Sequence, residues 1–335
     1  MAVADSAAPR PASADGDRPR HIVTRVSPAD RVFRGILRGA GLAVLVITAS
    51  ILAFLVLRSV TAFRAVGLGF FTTSSWFIST NQFGIASILP LGILIAIIAL
   101  LIAVPVGIAT GLFISEYAPP GLRRPLIAMI DLMASVPSII VALFGFFYVM
   151  PRILGLEGWL AHHLGFFPPL AFTLENSAGN YATSTFIAGV LVSLLAIPIV
   201  TSLSRQVFSQ APQGEREAAY ALGSTRWGMI RTVVLPYGRA GVIGASMLAL
   251  GRARGETIVV SFIITQVFHF NFHVLETGGN SVTAMIANRI LEAGPTEISA
   301  LMAAGMALFV LTIGVNTIAA VIINRSRSGA TASAD

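Results

Sequence analysis

Between two long apolar runs lies Gly214-Glu-Arg-Glu-Ala-Ala-Tyr-Ala-Leu-Gly223-Ser-Thr-Arg-Trp-Gly-Met-Ile-Arg-Thr-Val-Val-Leu-Pro236, a polar stretch whose apolar residues still keep helical order. Ala219 and Leu222, then Trp227, Ile230 and Val234, recur at helical spacing. Gly223 stands between the two sets and lets the chain turn, so the stretch predicts two short helices folded into a compact knob. Such a knob is either an interfacial amphipathic connection between two membrane spans or a piece shaped for a groove on another protein.

The flanks decide the solvent. The chain has 335 residues, 55% of them hydrophobic and 11% charged, with a mean hydropathy of +0.83, far from the balance of a water-soluble domain. A bilayer core of about 30 Å takes about 20 apolar helical residues to cross. Six segments meet that length: 36–57, 86–113, 126–149, 185–204, 241–268 and 299–323. Lipid obliges the backbone to satisfy its own hydrogen bonds, so the β-branched residues in these runs do not make them strands. The fold class expected is therefore an all-α integral membrane protein, a bundle of about six transmembrane helices. The membrane body spans 31–324, with a loop at 205–240 that carries the quoted stretch. Residues 1–30 are rich in Ala, Pro, Asp and Arg and predict a disordered tail; residues 325–335 form a short C-terminal tail. The first apolar run is too long for a signal-peptide core and no cleavage site follows it.

All 22 basic residues are Arg and the formal net charge is +7. Their distribution sets the topology, because short cytoplasmic loops carry the basic excess. The tail before the first helix holds Arg10, Arg18, Arg20, Arg25, Arg31, Arg34 and Arg38; the second-to-third loop holds Arg123 and Arg124. The fourth-to-fifth loop holds Arg205, Arg216, Arg226, Arg231 and Arg239, and the C-terminus Arg325 and Arg327. The opposite loops hold Arg58, Arg64, Arg152 and Arg289, offset by Glu157, Glu175, Glu276, Glu292 and Glu297. Both termini and the knob are expected on the cytoplasmic side of a cell membrane.

Without Lys the chain has no Walker A loop and no Schiff-base cofactor site, so ATP chemistry of that kind must come from elsewhere. With no Cys there are no disulfides and no thiolate metal sites. Arg is scattered between apolar blocks rather than gathered on one polar face, which argues against nucleic acid. His269 and His273 have metal-like spacing but lack a third ligand, and a wet loop is the ordinary reading. His162 and His163 beside Phe166 and Phe167 read as an interfacial aromatic belt.

An ionisable group at bilayer depth costs at least about 2.5 kcal/mol on insertion scales, so each is a functional candidate. Gly251-Arg252-Ala253-Arg254-Gly255-Glu256-Thr257 lies in the fifth apolar run and sets Arg252 and Glu256 four residues apart, where one helix face would let them pair. Arg254 points to nearly the opposite side. A guanidinium offers a planar fork of donors to a tetrahedral anion, and a neighbouring carboxylate keeps that anion from binding too tightly to leave. The alternative is a structural pair that holds helices together. Asp131, roughly 8 Å inside the third helix by helical rise, is too shallow to join them.

The quoted stretch matches E-A-A-x3-G-x9-[IV]-x-L-P through Glu217, Ala218, Ala219, Gly223, Val233, Leu235 and Pro236, and so resembles the coupling loop of ABC importer permeases. Gln82-Phe-Gly-Ile, Ala103-Val-Pro-Val-Gly, Ser115-Glu-Tyr-Ala-Pro119, Asp131-Leu-Met-Ala-Ser-Val-Pro-Ser138 and the 251–257 string narrow the resemblance to the PstC-type permeases of phosphate-specific importers, over about 31–324. That resemblance implies Arg252 and Glu256 on a phosphate path, and Arg254 where the family usually has Leu. It implies a second, PstA-like permease, two copies of a PstB-like ATPase that uses ATP and Mg, and a PstS-like extracytoplasmic binding protein docking on 58–85, 151–184 and 269–298. It also implies that Glu217, Ala218, Ala219, Gly223, Leu235 and Pro236 couple this chain to the ATPase, with no cofactor bound by the chain itself. A permease for sulfate or molybdate, and from another class a secondary transporter or membrane sensor, remain open on the residues alone.

Overall fold

The fold, taken from a computed structural model, describes residues 27–167, 183–270 and 272–327. Most of the expected N-terminal tail, Glu175 and residues 328–335 lie outside the described residues. The chain divides into two units at Ile51/Leu52. In the first, the N-terminal part of α1 (Pro28–Val66) is exposed along its whole length although it is rich in Leu, Val and Ile, as suits a surface facing lipid.

Among the described residues, six helical stretches are long and apolar enough to cross a membrane: Pro28–Phe71, Ile88–Tyr117, Ser138–Leu164, Thr185–Ser209, Arg226–Gly255 and Pro295–Val321. Within the second unit the centre is the pair α2 (Ile88–Leu112) and α6 (Thr185–Ser209), against which α9 (Leu235–Gly255) packs. In the most apolar window of α6, 61% of the residues are buried against 33% for α2, which makes α6 the axis of this unit. The two helices approach closely because Ala103, Gly107 and Gly111 form a buried stripe of small residues at i, i+4 and i+8 on α2. A Cβ on Gly107 would stand 2.7 Å from the Val200 side chain, and one on Gly111 would stand 3.1 Å from the Arg205 amide nitrogen. Lipid supplies no hydrophobic push between helices, so close backbone approach is what holds them. Ser184 starts α6 by accepting a hydrogen bond from the Ile187 amide at 3.1 Å.

Two expected spans are displaced, each for a backbone reason. The third was expected at 126–149, but the chain forms an amphipathic α3 (Pro120–Ser135), breaks, and resumes as α4 (Ser138–Phe144), a π-helical turn Gly145–Val149 and α5 (Met150–Leu164). Pro137 lacks an amide donor and forces Val136 into an extended conformation, φ −63° and ψ 126°, which a hydropathy window averages away. Asp131 is consequently an exposed residue of α3, outside the membrane-length stretch. His162 and His163, expected in a loop, occupy the last turn of α5, where His163 stacks on Trp159 with ring centroids 4.6 Å apart. The fifth span, expected at 241–268, ends at Gly255; Glu256 is extended, and a separate helix α10 (Ile258–Ile263) follows.

The loop expected at 205–240 is also narrower, because α6 runs on to Ser209 and α9 opens at Leu235 with Pro236 in its first turn, where a missing amide donor costs nothing. At the opposite end of the unit, a short hairpin pairs β1 (Trp76–Phe77) with β2 (Gln82–Phe83). It is tied to α12 (Pro295–Arg327) by the Trp76 indole N–H, which donates to Glu297 Oε1 at 2.8 Å, and the same carboxylate meets Arg289 of α11 (Val282–Arg289) at 3.2 Å.

Candidate functional site: an anchored knob and a broken helix

The knob is two short helices, as its spacing predicts. α7 (Gln213–Ala221) and α8 (Arg226–Met229) are joined by a turn in which Gly223 has φ +81°, a conformation that costs an L-residue about 1–2 kcal/mol. Thr225 caps α8 by accepting the Gly228 amide at 3.1 Å. A π-helical turn, Ile230–Val234, then feeds the chain into α9. The apolar residues sort into two sets. Ala219, Met229, Ile230 and Val234 are buried with Phe208 and Ala211, whereas Leu222 is 88% and Trp227 56% exposed. Burying the first set fixes the knob to the bundle, and the second set is left facing outward as an exposed apolar edge. Glu217 and Ala218 are exposed beside it, while Leu235 is half-buried and Pro236 exposed where the knob joins α9.

A charged network the sequence did not announce holds the knob in place. Glu116 sits on a π-helical turn, Phe113–Tyr117, that continues α2. Its Oε2 meets Arg216 Nη1 of α7 at 2.6 Å, and its Oε1 accepts the Ser115 hydroxyl at 2.7 Å. Arg216 spends its other donors at the end of α6 and just beyond it, with Nη2 on the Phe208 carbonyl at 2.6 Å and Nε on the Ala211 carbonyl at 3.2 Å. Those carbonyls lie where a helix end leaves acceptors without partners. Arg226 of α8 donates to the Glu116 backbone carbonyl and lies over the Tyr117 ring, 4.8 Å from its centroid. The Glu116 side chain is 4% exposed and that of Arg216 15%. A cleft of about 370 Å³ opens beside the pair, lined in part by Arg123, Gln213, Glu217 and Tyr220. Glu116 lay in a string already singled out and Arg216 in the opening stretch; nothing in their separation of 100 residues signalled that they meet.

The break after Gly255 separates Glu256 from Arg252 and Arg254, the other two ionisable residues of the 251–257 string. Pairing of Arg252 with Glu256 required one continuous helix, and among the described residues they form no ion pair. Glu256 is buried instead, its carboxylate 3.5 Å from the Val259 amide at the start of α10 and its carbonyl accepting from Thr283. Arg252 is exposed in an otherwise apolar groove of about 560 Å³ between α6, α9 and α12, with Asn316 as the other polar group on its wall. Arg254 faces inward, buried between α9, α2 and α12, and donates from Nη2 to the Thr312 hydroxyl at 3.1 Å. Elsewhere, His273 meets Glu276 at 3.3 Å.

The sequence pattern of the binding-protein-dependent transport system inner membrane component family matches residues 103–328, from the small-residue stripe of α2 through the knob to α12. Over 319 residues the chain is 38% identical to the phosphate transport system permease protein PstC 2 of Mycobacterium tuberculosis, covering 93% of this chain and 98% of that one. The chain belongs to the PstC-type permeases of this family. Other PstC-type permeases match over similar lengths, that of Mycobacterium leprae at 39% identity over 80% of this chain and 85% of its own, and that of Haemophilus influenzae at 37% over 85% and 90%. Among solved structures, a bacterial ABC transporter involved in the import of the acidic polysaccharide alginate aligns with a TM-score of 0.56 at 16% identity, over 88% of this chain and 99% of that one. At that identity the likeness concerns the fold, which is that of an ABC importer permease. As a transport permease with six apolar membrane-length helices among its described residues, the chain is a multi-pass membrane protein.

Proposed function

We propose that this permease is one of two membrane subunits of an ATP-driven importer that carries inorganic phosphate across the bacterial cytoplasmic membrane. The observation that carries the proposal is the 38% identity, across 93% of the chain, to a phosphate transport system permease, together with a guanidinium left exposed on an apolar wall. A cation at bilayer depth is costly unless it meets a partner or an anion. Arg252 lies on the groove formed with α12, where a second, PstA-like permease completes the pathway, and its donor fork replaces part of the hydration shell of a passing phosphate. Glu256 does not accompany it; its contribution is to start α10 and keep the helix broken beside the path. Half-helices flanking an unwound segment are a recurrent way for transporters to build a site in mid-membrane. Arg254, locked on Thr312, supports helix packing rather than contacting the anion.

The knob docks on a PstB-like ATPase. Leu222 and Trp227 supply the buried apolar contact and Glu217 a rim interaction, and the Arg distribution sets this end and both termini in the cytoplasm. ATP and Mg act in two copies of that ATPase and no cofactor is held by this chain. The opposite end, with its hairpin and α11, receives a PstS-like binding protein that delivers phosphate. Reconstitution of the four components in vesicles tests the proposal: labelled phosphate enters only with ATP and the binding protein, and sulfate does not compete. Uptake driven by a proton gradient without the ATPase, or preference for sulfate, would overturn it.

A further inference from the structure

We propose that Glu116 and Arg216 form a strut that passes movement of the knob directly to the ends of α2 and α6, which makes Glu116 a positioning residue for transport. This rests on the reading of the knob as the ATPase dock. The apolar cluster beneath the knob, Phe208, Ala219, Met229, Ile230 and Val234, resists separation, but apolar contact is non-directional and lets surfaces slide. Charge-assisted hydrogen bonds fix direction as well as distance. Arg216 reaches the Glu116 carboxylate on the extension of α2 at 2.6 Å and the Phe208 carbonyl of α6 at 2.6 Å, so one side chain of α7 holds both central helices.

Arg226 repeats the arrangement from α8, bonding the Glu116 carbonyl. Both members of the knob are thereby tied to one residue. That residue sits on a π-helical turn in which the Ala118 amide reaches back to the Phe113 carbonyl at 2.8 Å. Such turns are inserted where a helix must re-aim a side chain, and they are frequent at working sites. Here the turn buries Ile114 and Glu116 together, and Glu116 ties it to the knob. Since α2 and α6 are locked to each other by the small-residue stripe, a pull on Arg216 moves them as one body.

The test uses the complete importer in vesicles, with retention of the ATPase, phosphate moved per ATP hydrolysed, and a spin-label distance between α2 and α7 measured on the same preparations. The chain has no Cys, so Ala109→Cys and Glu215→Cys provide the label pair without removing native thiols. In Glu116→Gln the ATPase is expected to stay bound, phosphate moved per ATP to fall about fivefold or more, and the label distance to broaden. Unchanged stoichiometry, or a loss of stoichiometry with the wild-type distance distribution, would overturn the strut. Should Glu116→Gln fail to assemble, Glu116→Asp keeps the charge but withdraws the carboxylate by one methylene; partial uncoupling is expected and wild-type coupling overturns the proposal. If the unmodified complex itself moves no phosphate on ATP, the functional reading fails, and the label distance alone still decides whether Glu116 holds α7 to α2.

Discussion

Replacing Gly107 by Ala places a methyl group 2.7 Å from the Val200 side chain and 3.2 Å from the Thr201 backbone nitrogen, so α2 and α6 must move apart. Two opposing terms decide the sign. Ala gains at most about 1 kcal/mol of helix preference over Gly, while forcing a methyl into a filled contact costs about 1–3 kcal/mol. The net expectation is a loss of about 1–2 kcal/mol. Gly155 of α5 has no neighbour within 4 Å of an added methyl, and Gly155→Ala should therefore be neutral or slightly stabilising. Gly111 lies one turn along the same face, its added methyl 3.1 Å from the Arg205 nitrogen and 3.2 Å from the Thr201 carbonyl. One separation of the helices relieves both positions, so Gly107→Ala with Gly111→Ala should cost less than the sum of the two single variants. Equilibrium unfolding in mixed micelles, followed by circular dichroism, measures all four. If Gly107→Ala is as stable as the unmodified chain while Gly155→Ala behaves as expected, the α2–α6 crossing is not limited by its glycines and the reasoning fails.

Arg252→Gln should abolish phosphate uptake while the ATPase remains bound, and normal uptake in vesicles would remove Arg252 from the pathway. Trp227→Ala, which strips a side chain 56% exposed on the knob, should weaken ATPase association by about tenfold or more; Glu217→Lys should act in the same direction through the rim, and co-purification checks both. Arg254→Leu should retain transport and raise or leave unchanged the unfolding temperature in detergent, because a buried guanidinium exchanged for an apolar side chain often gains stability; loss of uptake in a folded variant would return Arg254 to the pathway.

Fold class was legible because lipid leaves few choices: six runs of sufficient length imply six helices, and the coupling motif carries its own turn in Gly223, which takes φ +81°. What hydropathy could not see were interruptions that leave composition unchanged. Val136-Pro137 is apolar, so the break after α3 vanished into the average even though proline dictated it. The break at Gly255-Glu256 was harder to anticipate, since Gly251 and Gly255 only permit a helix to end and do not require it. That one break undoes the expected pairing of two candidate residues. Spacing that would have paired Arg252 with Glu256 instead leaves one exposed and the other buried at the start of α10. The Ala103-Gly107-Gly111 stripe was visible in the sequence as small residues four apart; its meaning came only with α6 across from it.

Charged residues of the described membrane-length helices include two contrasting settings. Glu116, Glu297 and Arg254 are buried, each with a polar partner inside the chain that ties elements together: Glu116 with Arg216, Glu297 with Arg289 and Trp76, Arg254 with Thr312. Arg252, by contrast, lies on an outward apolar wall with Asn316 as the other polar group lining the groove. Desolvation penalises an uncompensated cation far more than a paired one, so Arg252 is the residue of the 251–257 string whose environment must be completed from outside the chain. In the proposed importer, a partner permease and a passing anion together supply that completion. The same contrast accounts for Arg254, which adds a hydrogen bond inside the bundle and no charge to the exposed groove.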